Sequence, residues 1–140
     1  MQKSWQERLL ALLLRFGACV TLLAFVAVFL PTAWIRGTHE WLGLGPFPDA
    51  PLTQYLTRSA AALYAMHGAL LWIISGNVRR HRLFVLYIIG TYLYLGTVLF
   101  VVDLRAGLPW HWVVFEGPPL FAMGLLSIYL VRHVPRAGAA

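Results

Sequence analysis

Long uncharged runs alternate with short clusters of charge along this chain. Gly17 to Ile35 carries no formal charge and lies between Arg15 and Arg36. Ser59 to Val78 and Leu83 to Val102 are uncharged as well, and Trp110 to Val131 is interrupted only by Glu116. Each run is near the ~20 residues a helix needs to cross roughly 30 Å of hydrocarbon. A helix also pairs its own backbone polar groups, which lipid cannot do. The pattern predicts an all-α chain, a four-helix transmembrane bundle forming a single integral-membrane domain over residues 1–140. Its spans are expected at about 10–31, 58–77, 83–103 and 110–131, with an outer loop at 32–57.

Composition agrees with this pattern. Hydrophobic residues make up 60% of the chain and charged ones 11%, against about 25% charged in an ordinary soluble domain. The formal net charge is +6. The basic residues punctuate apolar runs and form no nucleic-acid-binding module, so anionic lipid headgroups are the expected partners. The single cysteine, Cys19, excludes an intrachain disulfide and a CxxC or zinc cluster. It is expected as a small buried hydrophobe. Lys3 and Arg8 give the chain a signal-like start. The apolar run nevertheless continues beyond Arg15 for 19 residues without a small-x-small cleavage site. The first run is therefore read as a permanent span.

The link Asn77-Val78-Arg79-Arg80-His81-Arg82 is short and basic, so it is expected on the cytoplasmic side. Both termini then fall inside. Lys3, Arg8, Arg15, Arg79, Arg80, Arg82, Arg132 and Arg136 total eight inner cations, against Arg36, Arg58 and Arg105 outside. The expected location is a bacterial inner membrane, crossed several times. In the outer loop, Pro46, Pro48 and Pro51 prevent a continuous helix. Trp34, Trp41 and Tyr55 suit the headgroup level, and Thr38 to Leu44 is expected as one short interfacial turn. Gly107 and Pro109 allow a tight reversal, making the third and fourth spans antiparallel neighbours.

Polar residues inside the runs are the candidate chemistry. His67 lies about 13 Å along its helix from Arg58, near mid-membrane. Ala60, Tyr64, His67 and Leu71 share a stripe, and Arg58 falls on the other side of the helix. Ala60, Ala61, Ala62 and Ala65 make this helix slim enough for close approach. The third run carries two polar faces, one with Tyr87, Thr91 and Tyr94, the other with Tyr92, Gly96, Leu99 and Asp103. Buried tyrosines need hydroxyl partners. Glu116 lies about 9 Å in from Trp110, where a carboxylate should face protein rather than lipid. Pro118 and Pro119 deprive the Val114 and Phe115 carbonyls of their helical donors, so the helix is expected to kink or open beside Glu116. Tyr64, His67, Tyr92, Asp103, Glu116 and Arg58 are the expected ligand-binding set, lining one outward-facing polar pocket with His111 and Trp112 near its mouth.

The chemistry of that set remains open. Histidine and a half-buried glutamate suit proton transfer, which makes Glu116 and His67 the candidate catalytic pair of an acid/base enzyme on an apolar substrate. Haem would need a second histidine at the depth of His67, and the sequence offers none. The spacing of His67, Asp103, His111 and Glu116 matches no metal motif, so no metal site is expected and no cofactor is assigned. The "RRHR" strip suits an inner-face anchor rather than nucleic acid.

The stretches "WLGLGPFPDAP", "RSAAALYAMHGALL" and "VVFEGPPLF" resemble small bacterial four-helix membrane proteins that are loosely DoxX-like. The resemblance covers about Trp34 to Leu130. It implies a DoxX-like helical bundle and a role beside respiratory or lipid-linked enzymes, and it supplies no catalytic residue. The expected function is binding of a lipid-like or isoprenoid ligand. The alternatives are an accessory or structural subunit of a membrane complex and the acid/base enzyme. Expected partners are membrane lipids, with self-assembly or membrane-complex subunits as the other contacts.

Overall fold

The computed structural model describes residues 4–135. Lys3 and Arg136, both counted among the inner cations, lie outside them. The described residues form six helices and no strand. These are α1 (Trp5–Leu22), α2 (Ala24–Phe29), α3 (Thr32–Trp41), α4 (Pro51–Gly76), α5 (Arg82–Ala106) and α6 (Trp110–Arg132). Four helical stretches are long and apolar enough to cross a membrane: Trp5–Phe29, which joins α1 and α2, and then α4, α5 and α6. This is the organisation of a multi-pass membrane protein.

The helix limits follow local chemistry. Ser4 Oγ accepts the Glu7 backbone N–H at 3.2 Å and starts α1, five residues ahead of the expected span. Leu30 precedes Pro31 and is extended at φ −62°, ψ 141°, as a residue before proline prefers. Pro31 thereby separates α2 from α3. Pro51 sits at the first position of α4, where its missing N–H costs nothing. The expected loop at 32–57 thus contains a ten-residue helix and the first turns of α4. Gly107 closes α5 in the left-handed region at φ 69°. The Leu108 N–H reaches back to the Asp103 carbonyl at 3.1 Å, the closing bond of a glycine-terminated helix.

The described residues fall into two compact units. The first contains those up to 15 and from 73 onward. There α5 and α6 pack as an antiparallel pair. A Cβ on Gly96 would stand 2.6 Å from the Phe121 nitrogen and 2.8 Å from the Gly117 oxygen. A Cβ on Gly117 would stand 2.6 Å from the Gly96 oxygen. The two backbones touch, as small residues permit between membrane helices. Around this contact the buried residues recur at intervals of three, four or seven. Among them are Val85, Ile89, Tyr92, Gly96 and Asp103 on α5, with Val113, Gly117, Gly124, Ser127 and Val131 on α6, and Ile88 and Leu130 are buried beside this stripe.

At one end of this unit the Glu7 carboxylate pairs with Arg79 at 2.6 Å, with side-chain exposures of 3% and 17%. It is an ion pair without hydrogen-bond alignment, because Glu7 Oε2 and Arg79 Nε are buried with no such partner. Arg82 donates to the Val134 carbonyl at 3.0 Å. The start of α1, the 77–82 link and the end of α6 therefore gather at the same end.

The second unit, residues 16–72, contains the rest of α1, α2, α3 and α4 up to Trp72. Gly68 is its close-packing point, since a Cβ there would lie 2.6 Å from Thr21 Oγ1 and 2.9 Å from the Ala18 carbonyl. Ala61 and Ala65 are buried on the adjoining face. The slim alanine face expected on this helix is therefore completed by a glycine. In both units large apolar side chains stand exposed, Phe16, Leu63, Ile73, Phe84 and Phe115 among them, which is how helices meet lipid rather than water.

Three expectations are corrected. Cys19 is exposed, not buried. Tyr87 and Tyr94 are 69% and 68% exposed while Tyr92 is 5% exposed, so one polar face of α5 turns outward and only Tyr92 enters the core. Of the kink or opening expected at Pro118 and Pro119, the opening is absent, since α6 runs unbroken through both.

The glycine contacts yield a paired prediction. Gly117→Ala must displace the α5 backbone, and overpacking of this kind costs about 1–3 kcal/mol. Gly90→Ala meets nothing within 4 Å and gains about 1 kcal/mol of helix propensity. Thermal unfolding of detergent-solubilised protein should show a lowered midpoint for the first variant and an unchanged or raised one for the second. Equal effects would contradict the backbone contact.

Candidate functional site

Of the six expected ligand-binding residues, Tyr92, Asp103 and Glu116 belong to the first unit and Arg58, Tyr64 and His67 to the second. In the first unit Asp103 is 4% exposed and Glu116 half-buried. The Trp112 side chain donates a hydrogen bond to Glu116, and the charges of Asp103 and Glu116 lie within reach of each other. Tyr92 shares the Asp103 stripe but stands eleven residues, about 16 Å, deeper. The structure therefore brings together Asp103, Glu116 and Trp112, without Tyr92.

In the second unit Tyr64 and His67 keep their one-turn spacing on α4, with Tyr64 exposed and His67 half-buried. Arg58 leaves this stripe. Its guanidinium donates to the Val28 carbonyl, to the Leu30 carbonyl at 3.0 Å and to Thr32 Oγ1 at 3.5 Å. The two carbonyls sit where α2 ends, just ahead of Pro31. Arg58 completes the helix end in the way a cation near a C-terminus does.

Arg58 also bonds a residue that lines a cavity. Leu22, Phe25 and Val28 on one side, with Ala62, Ala65 and Ala69 of α4 on the other, border an apolar groove of about 470 Å³. Arg58 is four residues before Ala62, one helical turn away on the same flank. Val28 lines the groove, and its carbonyl accepts from Arg58. The stripe of Ala60, Tyr64, His67 and Leu71 lies on another flank. A second groove of about 330 Å³ runs along α5 and α6 past Gly96, Thr97, Phe100, Pro118 and Phe121. None of the six expected residues lines either groove.

The segment expected as an outer loop is folded. Arg36 pairs with Asp49, Gln54 donates to Asp49 at 3.2 Å, and the Gly45 carbonyl accepts from His39 Nδ1 at 3.0 Å. His39 and Phe47 meet edge to face at 5.4 Å. Trp34 and Trp41 project from the same side of α3, at 67% and 82% exposure, and flank a notch at Gly37.

Sequence reading missed Glu7, Gly68, the Gly96–Gly117 contact and the apolar grooves. Only Glu7 had a local signal: Ser4-Trp5-Gln6-Glu7 has the spacing of a helix-start capping box. Among the described residues no three His, Cys, Asp or Glu side chains gather for a metal ion. Comparison with known proteins finds no matching family model, curated protein or solved structure.

Arg58→Met keeps the apolar stem and removes the donors. It leaves the Val28 and Leu30 carbonyls unpaired, at about 1–3 kcal/mol for a buried group. Its melting midpoint in detergent should fall clearly, whereas Tyr55→Phe, a change at a 65% exposed side chain, should not move it. An unshifted Arg58→Met would show that these carbonyls do not depend on the arginine.

Proposed function

We propose that this protein binds a lipid-like or isoprenoid molecule in the second unit, with its apolar chain in the α1–α2/α4 groove and its polar end at Arg58. The observation that carries this reading is the wholly apolar groove lined by Val28, whose carbonyl accepts from the half-buried Arg58 guanidinium. Its volume falls in the roughly 300–1,000 Å³ range of small-molecule sites. A guanidinium has five N–H donors, more than its three bonds to the helix end use, so donors remain for a phosphate or carboxylate. Arginine suits such groups because it presents its donors as a planar fork. The α2–α3 break and the α4 alanines thus supply the two parts of an amphiphile site.

The same reading places the chain in a bacterial inner membrane with both termini cytoplasmic. The excess of Lys and Arg on one side supports this, as does the gathering of α1's start, the basic link and α6's end. The resemblance to DoxX-like proteins is compatible with a small lipid-associated bundle.

Two measurements test these statements. Ala62→Phe and Ala69→Phe fill the groove, and native mass spectrometry of gently extracted protein should show a retained lipid or isoprenoid mass in the parent and its loss in both folded variants. Retention unchanged by filling would exclude the groove as the site. For orientation, Cys19 is replaced by alanine and a single cysteine introduced as Glu40→Cys or Arg80→Cys. In spheroplasts an impermeant maleimide should label the first at once and the second only after lysis; the opposite order would invert the topology.

A further inference from the structure

The acidic pair of the first unit is not used by the lipid groove. It presents an electrostatic problem of its own. Asp103 Oδ2 is buried without a hydrogen-bond partner, and Asp103 as a whole is 4% exposed. Among the described residues neither Asp103 nor Glu116 takes part in an ion pair; the two pairs formed are Arg36–Asp49 and Arg79–Glu7. A carboxylate oxygen removed from water with no donor is costly, and such an atom in a folded protein calls for an unseen partner.

The backbone shows why the two carboxylates converge. Side chains on a helix tilt toward its N-terminus. Helix α5 starts at Arg82, so Asp103 leans back toward Gly96. Helix α6 starts at Trp110, so Glu116 leans toward Trp112, which donates to it. The helices run antiparallel with Gly96 against Gly117. Asp103 lies seven residues, about 10 Å, beyond that contact toward the α5–α6 turn, and Glu116 lies beside it. The two leans shorten this gap from both sides.

The chemistry of the missing partner is restricted. No third carboxylate, histidine or cysteine among the described residues joins the pair for a metal ion. An acceptor-only oxygen without a donor needs an N–H or O–H, which the fully substituted nitrogen of a quaternary ammonium lacks. A primary ammonium supplies three N–H donors and one positive charge, enough to bridge two carboxylates by charge-assisted bonds. We infer that Asp103 and Glu116 together bind a primary ammonium group at the α5–α6 turn. Depth is compatible with a headgroup. The 25-residue α5 is about 37 Å long, some 7 Å more than the hydrocarbon layer, and Asp103 is three residues from its end. An aminophospholipid headgroup and a free amine offer the same ammonium. This inference does not rest on the groove.

The test uses the full chain in nanodiscs of phosphatidylglycerol alone or mixed equally with phosphatidylethanolamine, with ethanolamine as the free-amine probe. Native mass spectrometry after mild extraction counts retained amine. Wild type should retain about one phosphatidylethanolamine per chain, with at least about a tenfold fall in Glu116→Gln and Asp103→Asn. Ethanolamine bound by wild type in phosphatidylglycerol alone, and lost in both variants, would assign the site to free amines and still support it. Glu116 is half-buried, so Glu116→Gln remains informative if Asp103→Asn fails to fold. Retention of neither amine above the level of the variants would overturn the inference, whatever the groove-filling variants show. Amine retention that survives in Ala62→Phe would separate this site from the lipid groove.

Discussion

The contact between Gly96 and Gly117 sets the first unit. Two helix backbones meet there at distances that no side chain permits. In lipid, helix association gains little from burying apolar surface, because the surroundings are already apolar. Close approach and dispersion must contribute more. Once that contact is fixed, the antiparallel register follows. Leu93 falls against Gly124, Phe100 against Gly117, and Asp103 and Glu116 approach each other near the turn. A larger residue at either glycine would part the helices and disperse the acidic pair with them. Packing and site are consequences of one contact.

The second unit depends instead on how a broken helix satisfies its backbone. Pro31 forces Leu30 into extended geometry and withholds a donor from the turn before it. In water such carbonyls would be solvated, and in a membrane they need a protein partner. Arg58 supplies one from α4 and so ties the α2–α3 break to the alanine flank that borders the groove. Gly68 fixes the adjoining face of α4 by direct contact with α1. Groove and break belong to one arrangement, which is why an arginine first read as a ligand-binding residue is also structural.

Four apolar helices were legible in the sequence because long uncharged runs mark them, although the first, Trp5–Phe29, also takes in Arg8 and Arg15. The start of α4 was not, because Thr53, Gln54, Tyr55 and Thr57 look like loop residues between prolines, although Pro51 can open a helix. Tyr87 and Tyr92 are the same residue type on one helix, and their opposite burial depends on which face meets α6. Gly117 reads locally as flexibility beside two prolines. Its packing role depends on Gly96, 21 residues earlier and on another helix. Register between helices is a long-range property, and no local period carries it. For the candidate site, sequence reading put Asp103 and Glu116 in one pocket with Trp112 near its mouth, but it did not foresee the bonds of Arg58 to the end of α2.

The two ends of the first unit treat buried charge differently. At the end with the basic link, Glu7 is almost fully buried but faces Arg79, so the charge is neutralised within the chain. At the α5–α6 turn two acids converge and no cation of the described residues pairs with either. A buried pair with opposite charges offsets much of its desolvation by mutual attraction. Two like charges add repulsion to desolvation, and the sheltered Oδ2 of Asp103 cannot turn to water for relief. Packing alone would be better served by leucine or asparagine at position 103, since either avoids an unpaired anion in the α5–α6 seam. The Glu7–Arg79 pair explains itself as a tie between α1 and the link. The acidic pair has no such internal account, and a donor-rich cation from outside the chain supplies the missing half of its chemistry.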